Sequence, residues 1–192
     1  FRLSFVVSFA AGFPMAKQGL YPAYTRKADA EGRTVILTGA TGTVGTATAL
    51  NLAKQNCRLI MACRNIEKCK VLRRELVLLS HNHSISCRRL NLEDIDSIND
   101  FADDMIKNEP RIDTLINNAA IKHLPDRELT KYGIEKQFWV NFLAPYLLTL
   151  RLLTKLKESA RETEDSRVVN IVGRPKVKWN LDPNDKIGRA SC

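Results

Sequence analysis

The chain has 192 residues, of which 44% are apolar and 27% charged, and its formal net charge is +9. This length and apolar content predict a single domain with a buried core, and exclude a disordered or low-complexity protein. The basic residues are dispersed among acids with no accompanying aromatic stripe, so we expect no nucleic-acid binding. The positive charge instead favours a phosphorylated cofactor or an anionic membrane surface.

The ends of the chain differ from its middle. Residues 1–31 combine an apolar run, FRLSFVVSFAAGF, with a linker that contains Pro14 and Pro22. The run is shorter than the roughly 20 residues of a membrane span. We interpret it as the remnant of a signal anchor or membrane-associating segment, the alternative being a loose tail. Residues 175–192 show no helical or strand period, and we expect both ends to be cuts in a partial sequence.

Residues 32–174 alternate between strand-like and helix-like periods, which is typical of a parallel sheet covered by helices. We predict strands at about 34–38, 58–62, 85–90, 112–116 and 167–172, and helices near 44–56, 65–79, 94–108 and 128–160. Pro145 interrupts the last helix, so either it is kinked or two helices meet there. The predicted fold is α/β, a Rossmann-like doubly wound parallel sheet that is truncated after about the fifth strand.

The first strand runs directly into a glycine turn, TVILTGATGTVG (34–45), and then into a helix. In this arrangement Gly39 permits the tight turn, Gly42 keeps side chains away from a pyrophosphate, and Gly45 lets the helix pack closely on the strand. The helix start then offers N–H groups and a positive dipole end to an anion. This segment predicts a dinucleotide-phosphate site.

The second predicted strand ends at Arg64, the position that faces the adenosine ribose in a dinucleotide fold. An arginine there accommodates a 2′-phosphate, and no carboxylate follows before Glu67. We therefore predict NADP(H) in preference to NAD(H), the alternative being a solvated loop arginine.

Five cysteines are odd in number and scattered, with neither a CxxC pair nor a disulfide ladder, so reduced thiols are expected. The three histidines have no zinc-site spacing, and no metal site is predicted.

From Gly32 to about Val172 the chain resembles the short-chain dehydrogenase/reductase family, in its retinol dehydrogenase-like branch. The resemblance rests on TVILTGATGTVG, LIMACRNIEKC, DTLINNAA, LTKYGIEKQFWVNFLAPYLLT and SRVVNIV, in that order and spacing. It implies an NADP(H)-dependent oxidoreductase acting on lipophilic alcohols and carbonyls. It also implies membrane association, for which we expect the endoplasmic reticulum or the mitochondrion, and otherwise the cytoplasm.

The resemblance also implies roles for individual residues. An asparagine at position 91 replaces the aspartate usual at the adenine ring, and Asn141 matches the asparagine that holds a relay water. The implied cofactor-binding residues are Thr38, Gly39, Gly42, Thr43, Val44 and Gly45 for the pyrophosphate, Arg64 for the 2′-phosphate, Asn91 and Leu92 for adenine, and Asn117 and Ala119 beside the ribose.

Three departures from the family pattern bear on activity. The middle glycine of the turn is at 42 rather than 43, Gly173 stands at the position of the catalytic serine, and no tyrosine follows Tyr146. Transfer of a hydride to a carbonyl carbon needs a proton donor at the oxygen, normally the missing tyrosine beside a lysine. We therefore expect this polypeptide to bind a cofactor without turning it over.

Three hypotheses remain open. The chain is an incomplete copy of an oxidoreductase, or a catalytically silent dinucleotide-binding protein that serves as a sensor or partner subunit, or a basic membrane-surface module without a cofactor. Because the fifth strand would leave one side of the sheet uncovered, we also expect poor solubility or a homodimer.

Overall fold

The structure is a computed structural model and describes residues 30–122, 126–163 and 165–173. The predicted apolar leader and polar tail lie outside the described residues. The five strands form one sheet in the order β3-β2-β1-β4-β5. They are β1 (Thr34–Thr38), β2 (Arg58–Cys63), β3 (Ile85–Arg89), β4 (Thr114–Asn117) and β5 (Arg167–Asn170).

All four strand pairings are parallel. The connections are α1 (Thr43–Ala53), α2 (Ile66–Ser80), α3 (Ile95–Asn108) and a longer helical segment before β5. Because parallel strands end at the same edge, the segments that follow β1 to β5 gather at one side of the sheet. That edge includes the glycine turn and the residues after each strand.

Two separate cores explain why the central strands β1 and β2 are buried along almost their whole length. Ile36 and Ile60 belong to a cluster that also contains buried residues of α3 and the helix before β5. Leu37 and Met61 belong to the second cluster, together with α1 and α2. Helices therefore cover both faces, and the predicted Rossmann-like, doubly wound parallel sheet is confirmed.

The predicted helix 128–160 begins later than expected. Residues 128–135 form a turn closed by an isolated bridge between Leu129 and Glu135. Glu135 then caps α4 (Lys136–Phe138) by accepting hydrogen bonds from the N–H groups of Gln137 (2.9 Å) and Phe138 (2.6 Å). The helix starts at Lys136 because the Glu135 carboxylate accepts from the N–H groups of its first turn.

The helix neither breaks at Pro145 nor divides into two. A π-helical turn (Trp139–Leu143) links α4 to α5 (Ala144–Thr163), and the N–H of Ala144 bonds to the carbonyl of Trp139. Since proline has no N–H to give the carbonyl four residues earlier, one widened turn lets the helix continue through it. Neither α5 nor any other helix in the described ranges is long and apolar enough to span a bilayer.

The expectation of reduced thiols is wrong for one pair of cysteines. Cys69, on the buried face of α2, forms a disulfide with Cys87 of β3, and their Cα atoms are 6.0 Å apart. This pair could not be predicted from the cysteine spacing, because the two residues meet only when α2 packs on the edge strand. Cys57 and Cys63 are free and buried.

Candidate dinucleotide-binding site

The glycine turn brings β1, α1 and β4 closer together than side chains would permit. Gly39 has a φ of +66°, a conformation that favours glycine. A Cβ at Gly39 would lie 2.7 Å from the Cα of Ala119, inside the backbone of the neighbouring segment. Gly39 is therefore required by both its conformation and its surroundings.

Gly45 performs a different steric role. It is buried in the first turn of α1, and a Cβ there would lie 2.8 Å from the Cα of Ala40 and 2.9 Å from Nδ2 of Asn118. It would also collide with the carbonyl oxygen of Gly39. The absence of a side chain at position 45 thus lets α1 start directly against the turn.

Gly42 is different again because the protein does not crowd it. A Cβ added there would meet only the carbonyl oxygen of Gly39, at an ordinary 3.5 Å, and its φ of −85° is open to any residue. Packing therefore does not require glycine at 42. The position opens onto space that a ligand can occupy.

The start of α1 has no side-chain cap among the described residues. Gly42 is the N-cap and offers no side chain, and the first turn carries no acidic residue. The hydrogen bond that opens the helical ladder runs from the N–H of Thr46 to the carbonyl of Gly42 at 2.8 Å. The N–H groups of Thr43, Val44 and Gly45 precede this ladder, so they suit an anion at the positive end of the helix dipole.

Asn118 braces the glycine turn, and the sequence analysis missed it. Its Nδ2 donates to the carbonyl oxygens of Thr38 (2.9 Å) and Gly39 (3.1 Å). In return, Oγ1 of Thr38 accepts from the N–H groups of Asn118 and Ala119, both at 3.0 Å. The two adjacent asparagines at the end of β4, Asn117 and Asn118, were the signal in the sequence that could have indicated it.

Asn117 joins elements behind the turn. It is 6% exposed, and its Nδ2 donates to Oδ1 of Asn170 (2.9 Å) and Oγ1 of Thr149 (3.2 Å). Its Oδ1 is one of two buried side-chain atoms that lack a hydrogen-bond partner in the described part of the chain. Asn117 thus ties β4 to β5 and α5. Its place beside a ribose remains a prediction.

Arg64 lies at the expected edge, and it has a carboxylate partner from another segment. Its Nη1 is 2.9 Å from Oε1 of Glu93, in the loop after β3, although the arginine side chain is still 71% exposed. Oε2 of Glu93 is also 3.4 Å from Nζ of Lys136. A hydrogen bond from Lys136 to Glu128, assisted by Glu93, raises the pKa of Lys136.

Asn91 and Leu92 serve the protein's own framework. The N–H of Asn91 donates to Oγ of Ser97 at 2.9 Å, and its Oδ1 accepts from the N–H of Glu93 at 3.2 Å. Leu92 is buried, and its carbonyl accepts from Nε1 of Trp139 at 2.8 Å. Their contact with an adenine ring remains a prediction.

Tyr132 is engaged at the start of α3. Its hydroxyl accepts from the N–H of Ile95 at 2.9 Å and donates to Oδ1 of Asp94 at 3.2 Å. Hydrogen bonds from Lys131 and then Tyr132 lower the pKa of Asp94. Tyr146 is 58% exposed on α5. The hydroxyl of Tyr132 therefore stabilises the start of α3.

Asn141 lies in the π-helical turn and clamps the segment after β4. Its Oδ1 accepts from the N–H of Ile121 at 2.8 Å, while its Nδ2 donates to the carbonyl of the same residue at 2.9 Å. Gly173 follows β5, and a Cβ there would meet none of the described residues within 4 Å. These residues thus leave room for a side chain at position 173, and glycine provides no hydroxyl there.

A Rossmann-like sheet with an uncapped helix start behind a glycine turn defines a dinucleotide-binding fold. The family model described as "short chain dehydrogenase" matches residues 33–174. Retinol dehydrogenase 13 of Mus musculus is 42% identical over 159 residues, which are 83% of this chain and 46% of that protein. Retinol dehydrogenase 11 of Mus musculus is 39% identical over 140 residues, which are 73% of this chain and 43% of that protein.

Solved structures agree with the fold. A metagenomic short-chain oxidoreductase in complex with NADP has a TM-score of 0.66 at 23% identity, covering 79% of this chain and 67% of that one. A protein from Mycobacterium Paratuberculosis has a TM-score of 0.57 at 34% identity, covering 65% of this chain and 43% of that one. The chain belongs to the short-chain dehydrogenase family and is retinol dehydrogenase-like. It spans less than half the length of the curated relatives named above.

Proposed function

We propose that this chain binds NADP(H) at the carboxyl edge of its sheet. The observation that carries the proposal is the uncapped start of α1 beside Gly42. There the protein supplies three first-turn N–H groups, no first-turn acid, and open space. A diphosphate would accept from Thr43, Val44 and Gly45, while Thr38, Gly39 and Ala119 keep the turn in shape.

The remaining contacts extend the site along the same edge. Arg64 would meet the 2′-phosphate, Asn91 and Leu92 the adenine, and Asn117 the region behind the ribose. The metagenomic short-chain oxidoreductase of similar fold was solved in complex with NADP, which supports the choice of a nicotinamide cofactor. The exposed guanidinium of Arg64 supports NADP(H) over NAD(H), because a planar fork of donors suits a phosphate.

For the whole protein we propose an oxidoreductase of retinol dehydrogenase type that acts on lipophilic alcohols and carbonyls. A nicotinamide cofactor supplies the hydride in such chemistry. In this polypeptide Asn141 would hold a water near the site, but Gly173 has no hydroxyl to polarise a carbonyl. The polypeptide by itself would therefore position the cofactor and leave the substrate oxygen without a proton donor.

A catalytically silent binding protein is the second candidate. It is favoured by Gly173, which lies inside the family match. Glycine stands there in place of the catalytic serine, although the described residues leave space for a side chain. We also propose membrane association, which the apolar residues 1–13 of the sequence support. We propose a homodimer because the outer edge of β5 pairs with no other strand of the described part of the chain.

Calorimetric titration of the chain with NADPH and NADH tests the proposal directly. We expect both to bind, NADPH more tightly. Arg64→Ala should weaken NADPH binding by about tenfold and NADH binding by less than twofold, since only the former carries the 2′-phosphate. Equal losses would exclude the role of Arg64, and no binding of either nucleotide would exclude the function itself.

A turnover assay separates the two candidates. Retinal, added with NADPH, should give no retinol above background when incubated with this chain. A steady rate of NADPH oxidation that depends on retinal would contradict the proposed lack of a proton donor.

A further inference from the structure

The two cationic side chains near the proposed adenosine site already form ion pairs with carboxylates of the chain. Arg64 pairs with Oε1 of Glu93 at 2.9 Å, Lys136 lies 3.4 Å from Oε2 of Glu93, and Lys136 also pairs with Glu128 at 2.9 Å. Two positive and two negative side chains therefore form one cluster without net formal charge. A cofactor phosphate that approaches Arg64 meets this cluster rather than an isolated guanidinium.

Glu93 is held in place more firmly than the arginine that it contacts. Its N–H donates to Oδ1 of Asn91, and the carbonyl of the preceding Leu92 accepts from the buried indole of Trp139. The side chain of Glu93 is 30% exposed, whereas that of Arg64 is 71% exposed. The loop therefore keeps the carboxylate at this edge even when the arginine turns toward another anion.

We propose that Glu93 is a specificity-determining residue that competes with the 2′-phosphate for Arg64. This inference rests on the proposed function. When NADP(H) binds, its 2′-phosphate must displace the Glu93 carboxylate from Arg64. The phosphate and the displaced carboxylate then lie close together and repel each other. NAD(H) brings no phosphate to this edge and pays no such electrostatic cost. The preference for NADP(H) is consequently smaller than Arg64 alone would produce.

The size of the effect follows from the exposure of the pair. An exposed ion pair is weak because water screens it, and the repulsion between the carboxylate and a nearby phosphate is of similar size. Glu93→Gln keeps the shape of the side chain and removes its charge. We expect this variant to bind NADPH about three- to tenfold more tightly and to bind NADH within twofold of the unmodified chain.

The experiment is a calorimetric titration with NADPH, NADH, adenosine 2′,5′-bisphosphate and adenosine 5′-monophosphate. The gain should appear only with the two nucleotides that carry a 2′-phosphate. It should be smaller when Arg64→Ala/Glu93→Gln is compared with Arg64→Ala, because competition for the guanidinium is then absent and only the repulsion between carboxylate and phosphate remains. Glu75→Gln is the charge-matched control, because Glu75 is exposed on the second half of α2, away from this edge. Circular dichroism melting of each variant checks that the fold is retained.

Each other outcome overturns the inference in a recognisable way. Unchanged NADPH affinity in Glu93→Gln would show that the carboxylate does not compete. Weaker NADPH binding would show that Glu93 positions Arg64 instead, and weaker NADH binding would show that it accepts from a ribose hydroxyl. An equal gain in Glu75→Gln would reduce the effect to net charge. An unmodified chain that binds neither dinucleotide would overturn the proposed function, and this inference with it.

Discussion

Asn118 donates from one nitrogen to the carbonyl oxygens of both Thr38 and Gly39, at 2.9 and 3.1 Å. One side chain from the segment after β4 thus fixes the last residue of β1 and the first residue of the glycine turn. The shape of the candidate phosphate site therefore depends on the neighbouring strand as much as on the glycines themselves.

Asn118→Ala should destabilise the chain and weaken nucleotide binding. Both part-buried carbonyls would lose the Asn118 donor, although that of Gly39 would keep the N–H of Gly42 at 3.2 Å. We expect a cost of about 1–3 kcal/mol in the free energy of unfolding. NADPH and NADH should lose affinity to the same extent, because the turn would serve their common diphosphate. Urea unfolding and calorimetry measure the two effects. Asn51→Ala is the control, because it removes only an exposed hydrogen bond from the side-chain amide to the carbonyl of Ala47 on α1. It should change neither the free energy of unfolding nor the nucleotide affinity.

Replacing Gly45 and Gly42 by alanine should separate packing from binding. Gly45→Ala places a methyl group against the backbone of Gly39 and Ala40, and overpacking of this kind costs about 1–3 kcal/mol. Gly42→Ala meets no crowded atom, so its melting temperature should stay near that of the unmodified chain. Its nucleotide affinity should nevertheless fall, since the new methyl group enters the space assigned to the diphosphate. Unchanged affinity in Gly42→Ala would place the phosphates elsewhere.

Reduction of the bond between Cys69 and Cys87 should lower stability without unfolding the chain at room temperature. The bond closes a loop with a sequence separation of 18, for which a contribution of about 3 kcal/mol is typical. Thermal melting with and without dithiothreitol measures the difference. The double variant Cys69→Ser/Cys87→Ser should melt at a lower temperature that no longer responds to the reductant. The unreduced chain can also be unfolded, treated with a thiol-alkylating reagent and weighed by intact mass spectrometry. Alkylation of all five cysteines would contradict the bond.

Burial of Cys57 predicts a loss of stability at alkaline pH. Removal from water raises the pKa of its thiol from 9.0 to about 11. The unfolded thiol therefore ionises first, so the contribution of this group is complete below about pH 9 and is lost as the pH rises toward 11. Urea unfolding between pH 8 and pH 11 measures it. Cys57→Ala is the control, and its stability should fall less steeply over that window. Parallel curves for both chains would exclude the assignment.

Features carried by local pattern could be predicted before the fold was known. The strands begin within two residues of their predicted positions, because each is a short apolar run beside a turn. Asn65 caps α2 by accepting from the N–H of Lys68, as its place before the helix indicated. Asp94, by contrast, stands at the start of α3 but makes no side-chain capping bond, because Lys131 and Tyr132 engage its carboxylate.

The candidate site divides in the same way. The strand, the three glycines and the helix start are consecutive in the chain, so the sequence by itself determined the order of strand, turn and helix and that Arg64 would follow β2. The brace from Asn118, the pairing of Arg64 with Glu93 and the disulfide between Cys69 and Cys87 were decided only by the tertiary structure. Each joins residues from different elements, which come within bonding distance only because parallel strands bring their ends to one edge and the helices pack across them.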